Sequence, residues 1–383
     1  AIAAPARPSC GQNYAPRELA NLAWSVASLR CRDAPLFDAI SSAAIPKISA
    51  RDHFVGPGVV AETGHPVALF SLVHALAESR RLTPALYDAA LVAVRRHARV
   101  LDGPPGAEAG EASAPQGGGR PAGLSLNRPH VVLEGTHLCV LWKPAGWTVS
   151  VSNKHSPDPV DRGGGAGPQG RPLQGWIAER FGRSCPIALD AGAAHGLLHR
   201  IDRETSGVLL CAKSYRGYYA AQLQFEARRV RKLYVCLCRG FLASAPRLLQ
   251  DPLRAVAQRC LVDPRGRRAS TEICSVDHAI DGAGVGLSLV RIRLHTGRMH
   301  QIRAHLGHAG HALVGDPVYG ALAQPEWCRR TFLHAHGLAL RTEDGLVAAT
   351  CSLPLDLRRG LANLTPVQAP SGLGLAAARA EGG

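Results

Sequence analysis

One carboxylate in this chain is framed for chemistry. In HGLLHRIDRETSGVLLCAKS (195–214), Asp202 stands between Arg200 and Arg203, ahead of a hydroxyl pair, Thr205 and Ser206, then Gly207 and an apolar strand. An aspartate at a turn among cations and hydroxyl donors can serve as nucleophile or base without a metal. Taken alone, the pattern equally fits a structural aspartate salt-bridged at a strand entrance. A second segment, ARRVRKLYVCLCRG (227–240), sets Arg228, Arg229, Arg231, Lys232 and Arg239 around a single aromatic, Tyr234. Cations that hold phosphates and a ring that stacks on a base are what a nucleic-acid site needs. A solvated basic edge strand with Tyr234 in the core is the plainer alternative.

The third segment, RIRLHTGRMHQIRAHLGHAGHALVGDPVYG (291–320), carries His295, His300, His305, His308 and His311. Zinc is the obvious thought. However, residues five apart lie about 140° apart around a helix, so His300 and His305 share no face. No Cys or carboxylate completes a ligand set either, and no metal is expected. Thr296-Gly297-Arg298 reads instead as a turn into a helix. Arg298 and Arg303 offer guanidinium groups for a carboxylate or phosphates. GDPVYG (315–320) reads as a tight turn with an aromatic.

The elements that must position these residues follow from pattern. Strands are expected at His137–Trp142, Val208–Cys211, Leu233–Cys238 and Leu287–Leu294, and helices at Leu173–Phe181, Tyr218–Ala227 and Met299–His308. Strands and helices mixed without regular alternation predict an α+β domain over 130–358. A Gly-rich stretch at 156–171 reads as a surface loop insertion. Residues 12–100 read as helical: Leu19, Leu22, Ala23 and Val26 recur on one helical face, with Pro16 and Glu18 suited to a first turn. Residues 19–39 align without gaps to 69–89 at an offset of 50, matching Leu19, Leu22, Ala27, Arg30, Leu36, Asp38 and Ala39, with a Gly/Pro loop (56–66) between. This is the signature of stacked helix pairs, or of two ordinary Ala/Leu-rich hairpins. The Gly/Pro-rich stretch 103–123 marks a linker within 101–129, and 359–383 reads as a disordered tail.

Composition narrows the partners. The 383 residues carry a formal net charge of +15, which points to a polyanion, nucleic acid above all, unless the protein is simply basic. Eleven cysteines, odd in number and scattered, fit reduced thiols in an intracellular compartment. Cys236 and Cys238 fall on one face of their strand and read as buried rather than as ligands. No run of about 18 apolar residues occurs, so no membrane span is expected. The chain opens on Ala1, which fits a fragment or a processed form.

Together the segments resemble RluA-type RNA pseudouridine synthases. HRIDRETSG (199–207) is similar to the signature around that family's catalytic aspartate, and RKLY (231–234) to the strand presenting its active-site tyrosine. HTGRMHQIRAHL (295–306) with GDPVYG is similar to its third motif, and LEGTHLCVLWKPAGWTV (133–149) to its first strand and Lys-Pro-x-Gly turn. TFLHAHGLAL and SLPLDL fit its end, so the resemblance runs in order from about 131 to 357.

The resemblance implies a pseudouridine synthase fold, a mixed and largely antiparallel sheet with flanking helices and a central cleft, preceded by an all-α segment. It implies isomerisation of uridine in RNA with no cofactor and no metal, by a monomer. Asp202 would be the catalytic aspartate, attacking C1′ or assisting elimination. Tyr234 would stack on the base and accept a proton, and Arg303 would pair with Asp202 and orient it. Arg200, Thr205, Lys232, Arg298 and His300 are the substrate-binding candidates. Three features depart from the family pattern: Met299 in place of Thr or Ser, the insertion at 156–171, and the absence of an S4-like N-terminal domain. ELANLAWSVASL (18–29) resembles the RNA-binding helical repeats of octotricopeptide and FAST-kinase-like proteins, which tilts the expected location to a plastid or mitochondrion, with cytoplasm and nucleus open. The competing reading is a catalytically inactive RNA-binding protein on the same fold.

Overall fold

A computed structural model of the protein describes residues 14–28, 33–49, 66–103, 127–150, 171–243, 247–320 and 324–367. The chain divides into two compact units, Ala1–Ala112 with Ala212–Val230, and Ser113–Cys211 with Arg231–Gly383. The division is not collinear with the sequence: a piece from within the expected α+β span clusters with the N-terminal helices.

The first unit begins with α1 (Pro16–Ser28), α2 (Ala34–Ser49), α3 (Val67–Glu78) and α4 (Pro84–Asp102). On α1, Leu19, Ala23 and Val26 are buried as their spacing predicts, with Leu22 at the margin. The internal repeat has a structural counterpart: α1 packs on α3 and α2 on α4, and the matched leucines Leu19 and Leu69, Leu36 and Leu86 all sit in the core. Helix α4 is punctuated as its sequence dictates. Thr83 caps it by accepting from Leu86 N, Pro84 opens it, and Gly103 ends it at a φ of 74° that a side chain would strain.

The second unit opens with β1 (His130–Glu134), β2 (Leu138–Lys143), β3 (Trp147–Thr148), β4 (Arg171–Pro172), α5 (Leu173–Phe181) and β5 (Ser206–Ala212). The chain then makes α6 (Tyr215–Glu226), which belongs to the first unit, and resumes with β6 (Arg231–Arg239), β7 (Arg247–Leu249), β8 (Leu253–Val256), β9 (Arg259–Val262), β10 (Thr271–Ile280) and β11 (Gly286–Leu294). It ends with α7 (Gln301–His308), β12 (Leu333–Thr342), β13 (Gly345–Thr350), α8 (Leu355–Ala362) and β14 (Thr365–Pro366). The main sheet runs β1-β2-β5-β12-β6-β11-β10-β14, with β13 on β12 and β7 on β10. β5 and β12 run parallel; β1–β2, β12–β6, β6–β11 and β10–β11 are antiparallel. This is the mixed sheet with flanking helices that the resemblance implies. β5 is buried at every position, as an apolar run covered on both faces should be. It meets β12 closely enough that a Cβ on Gly207 (φ +128°) would lie 2.2 Å from the Ala335 carbonyl oxygen, so only glycine fits there.

Several expectations change. β6 is a central strand between β12 and β11, not a basic edge; Cys236 and Cys238 are fully buried in it. Helix α7 starts at Gln301, because Met299 and His300 form a turn and His300 is left-handed (φ 51°). The Gln301 side chain closes that turn by accepting from Arg298 N and Thr296 Oγ1. Residues 359–367, assigned to a disordered tail, instead finish α8 and form β14, with Leu361 and Leu364 in the core beneath β6 and β11. The insertion at 156–171, the loop at 56–66, the linker 103–123 and the tail beyond 367 fall almost wholly outside the described residues.

Helix α6 is knit into the helical unit by polar as well as apolar contacts. Ser214 caps it, and both Asp102 carboxylate oxygens accept from its first amides, Tyr215 N at 2.7 Å and Arg216 N at 2.9 Å. The end of α4 thus neutralises the start of α6. Tyr219 packs against Phe70 and His97, and the Arg229 guanidinium lies 3.4 Å from the Tyr87 ring centroid. His74 stands between two carboxylates, Glu226 at 2.7 Å and Glu78 at 3.3 Å.

Candidate active site

Asp202 sits in the turn that feeds β5, with Thr205 N donating to its own carbonyl at 3.1 Å. Its side chain is about one-fifth exposed. The turn is anchored from β2: Lys143, fully buried, gives its ammonium to the carbonyls of Pro144 (3.0 Å), Trp147 (2.9 Å) and Arg203 (3.0 Å). All three of its N–H donors are thereby used. Burial pushes Lys143 down to about 7, against the pull of Asp202 and Glu204.

From α7, Arg303 reaches the aspartate: Nη1 donates to Asp202 Oδ2 at 3.0 Å. The rest of the guanidinium fork is held by Asp316, Nε to Oδ2 at 2.7 Å and Nη2 to Oδ1 at 2.9 Å. Asp316 is completely buried, and its Oδ1 also accepts from Val318 N and Tyr319 N. Burial alone would lower Arg303, but the two carboxylates outweigh it and push the guanidinium up. Burial likewise works to raise Asp316, and Arg303 with the two amides holds it below its usual range. Asp316 therefore stays charged in the interior because its partners are fixed there.

His300, at the head of α7, points Nε2 toward Asp202 Oδ1 at 3.9 Å and Nδ1 toward the Tyr319 hydroxyl at 3.3 Å. Burial lowers it against the pull of Asp202, so the imidazole is neutral at pH 7. The Tyr319 hydroxyl accepts from Cys260 N at 2.7 Å, tying β9 to this corner. Tyr234 is buried on β6; burial pushes its phenol up and the charge of Asp202 adds to that.

The structure brings Asp202, Arg303 and His300 into one cluster, with Tyr234 near enough to feel the aspartate's charge. Arg200 is exposed and its charge acts on His300. Lys232 donates to the Thr296 carbonyl at 3.2 Å and Arg298 Nε to the Arg268 carbonyl at 3.1 Å, so both help shape the loop before α7. Thr205 is buried, and its hydroxyl has no hydrogen-bond partner. The histidines disperse. His305 bonds Thr271 and the Asp251 carbonyl, His295 bonds Glu272, and His311 bonds the Arg239 carbonyl. Among the described residues no three His, Cys, Asp or Glu side chains gather as a metal set, and no helix is long and apolar enough to cross a membrane.

Asp316 and Lys143 escaped the sequence reading as site residues. Asp316 lay inside GDPVYG, read only as a turn, and Lys143 inside the Lys-Pro turn. A carboxylate between a glycine and a proline was the available signal, since a turn needs no buried charge. A Cβ on Gly315 (φ +74°) would lie 2.0 Å from the Arg330 carbonyl oxygen, and this forces the turn that aims Asp316.

Comparison with known proteins gives the following. Residues 137–308 match the family model described as RNA pseudouridylate synthase. An uncharacterized RNA pseudouridine synthase of Chloroflexus aurantiacus is 34% identical over 223 residues, which are 56% of this chain and 63% of that protein. One from Zymomonas mobilis is 33% identical over 165 residues, 41% of this chain and 73% of that protein. The chain thus spans less than two thirds of the length of the Chloroflexus relative. Human RNA Pseudouridylate Synthase Domain Containing 1 superposes with a TM-score of 0.50 at 23% identity, covering 67% of this chain and 96% of that one; at that identity the likeness is one of fold.

Proposed function

Because the chain belongs to the RNA pseudouridylate synthase family, we propose that it isomerises uridines within RNA to pseudouridine without a cofactor. The C1′–N1 bond breaks, the uracil turns, and C5 bonds to C1′. The C5 proton leaves and N1 takes one up, so atoms and electrons balance with no redox partner. Asp202 acts at the sugar, either attacking C1′ or assisting elimination. Tyr234 stacks on the base and passes the C5 proton; as a neutral phenol it accepts one only while handing on its own. Arg200, Arg298, Lys232 and His300 line the approach for the flipped nucleotide, whose unstacking costs a few kcal/mol.

The observation that carries this reading is the carboxylate of Asp202, partly exposed and fixed by an arginine that a second, buried carboxylate locks in place. A catalytically inactive RNA binder has no use for a negative charge held so firmly where phosphates approach. The helical unit serves in this reading as an RNA-guiding extension of the octotricopeptide or FAST-kinase-like kind, in a plastid or mitochondrion. Stacked helix pairs build extended binding surfaces, and Arg80, Arg81, Arg96 and Arg99 are exposed on it.

The test is tritium release. Mixed cellular RNA labelled at uridine C5 is incubated with the purified chain, and counts are followed into water. Release is expected. No release, with RNA still bound, would favour the inactive RNA-binding alternative.

A further inference from the structure

Arg330 lies outside every segment the reaction has used so far, yet its side chain is only 10% exposed. Nε donates to Asp356 Oδ2 at 2.6 Å and Nη2 to Asp356 Oδ1 at 3.3 Å. Nη1 donates to the Glu204 carbonyl at 2.8 Å and, more distantly, to the Thr331 carbonyl at 3.5 Å; Nη2 also donates to Ser206 Oγ at 3.2 Å. A guanidinium has five N–H donors, and these contacts occupy all of them. Arg330 is therefore a cation that carries positive charge without being available to a phosphate.

What it holds is the turn that carries Asp202. The two carbonyls within that turn, Arg203 O and Glu204 O, each meet a cation: Lys143 takes the first and Arg330 the second. Ser206, where β5 begins, is gripped from two sides, by Arg330 and by Nδ1 of His334 at 3.1 Å. The His334 imidazole is fully buried and held in place by the Cys351 carbonyl at 3.1 Å. The backbone of Arg330 also presses on the other side of the cluster, since its carbonyl oxygen occupies the space a side chain on Gly315 would need, one residue before Asp316.

We propose that Arg330 is a positioning residue for Asp202, its guanidinium clamping Glu204 O and Ser206 Oγ to the carboxylate of Asp356 so that the turn presents the aspartate to Arg303. A lysine could satisfy one of these acceptors but not the planar set. The inference rests on the reading of Asp202 as the residue that acts on the substrate, but the clamp itself has a signature independent of turnover.

The test uses the full chain with Arg330→Met, Arg330→Lys and Asp356→Asn. Hydrogen exchange at the Thr205 amide, which closes the turn, is followed by mass spectrometry of the peptide spanning it. Single-turnover tritium release and filter binding are measured on the labelled RNA. Faster Thr205 exchange is expected in all three variants. Release should slow about 10- to 100-fold for Arg330→Met, on the scale of an ångström-level misplacement, and less for Arg330→Lys and Asp356→Asn. RNA binding should stay within about twofold, since the charge removed touches no phosphate. Asp356 is more than half exposed, so its variant keeps the test decisive if Arg330→Met fails to fold. Unchanged exchange in Asp356→Asn and in any folded Arg330 variant would overturn the clamp. So would wild-type release rates in those variants, or a loss of binding that accounts for the loss of rate. Faster exchange with an inactive wild type would leave the clamp standing and sink the isomerase reading alone.

Discussion

Arg303 touches Asp202 through a single nitrogen, Nη1 to Oδ2 at 3.0 Å. The remainder of its hydrogen-bonding fork is spent on Asp316. The arginine is thus a rigid spacer between two carboxylates, one buried and one partly open to solvent.

Asp202→Asn keeps the volume of the side chain and removes its charge. Turnover should be abolished while RNA affinity stays nearly unchanged, because no phosphate contact is lost. Tritium release at the wild-type rate by this variant would show that Asp202 has been misassigned.

Asp316→Asn should act at a distance. The variant leaves a buried guanidinium short of its counter-charge, which costs about 3 kcal/mol or more, and it frees Arg303 to rotate. A lowered melting temperature is expected together with a fall in single-turnover rate of about tenfold or more. A variant with wild-type melting and wild-type rate would show that Asp316 holds nothing that matters to either.

Tyr234→Phe retains the ring and deletes the hydroxyl. Base stacking should persist and RNA should still bind, while turnover drops about 100-fold, in the range expected for a lost proton-transfer group. Should turnover be unaffected, stacking would be the whole of its role.

Salt should weaken RNA binding steeply. If several phosphates are neutralised, log affinity falls linearly with log salt at a slope of about −0.7 per contact for single strands. Arg96→Gln with Arg99→Gln, both on the exposed side of α4, should flatten that slope without altering the single-turnover rate at saturating RNA. A slope identical to wild type would remove these arginines from the RNA-binding surface.

Acid should destabilise the fold before its carboxylates titrate. Burial drives His199 and His334 from 6.5 down to about 3 in the folded chain. The unfolded chain takes up those protons first, so the stability they contribute is intact above about 6.5 and drains away as pH falls toward 3. Melting temperature should decline between about pH 7 and about pH 5, and less steeply in His334→Asn. A flat profile over that interval would contradict the neutral state of both imidazoles in the folded chain.

Much of the site was legible before the fold was known. Asp202, Tyr234 and Arg303 stand in local patterns, and the strand after Asp202 announces itself as a continuous apolar run. What could not be read were the groups that work across long separations. Lys143 holds a carbonyl 60 residues away and Arg330 one 126 residues away; the Lys-Pro-x-Gly pattern marks a turn at Lys143 but not its distant partner, and Arg330 has no local pattern that distinguishes it from a solvated surface cation. The end of the fold was misjudged for a similar reason. Leu361 and Leu364 look like tail residues until β6 and β11 supply the apolar surface they cover.

The placement of α6 bears on heredity as much as on architecture. The helix lies in sequence between the strand after Asp202 and the strand that bears Tyr234, yet Asp102, which accepts from its first amides, and the rings that Tyr219 packs on come from the N-terminal helices. Loss of residues 1–103 would take away the carboxylate that the first two amides of α6 donate to and the rings of Phe70 and His97 that Tyr219 packs on. The N-terminal helices and α6 therefore form one inherited unit, although the stretch of sequence that encodes it is interrupted by everything from β1 to β5.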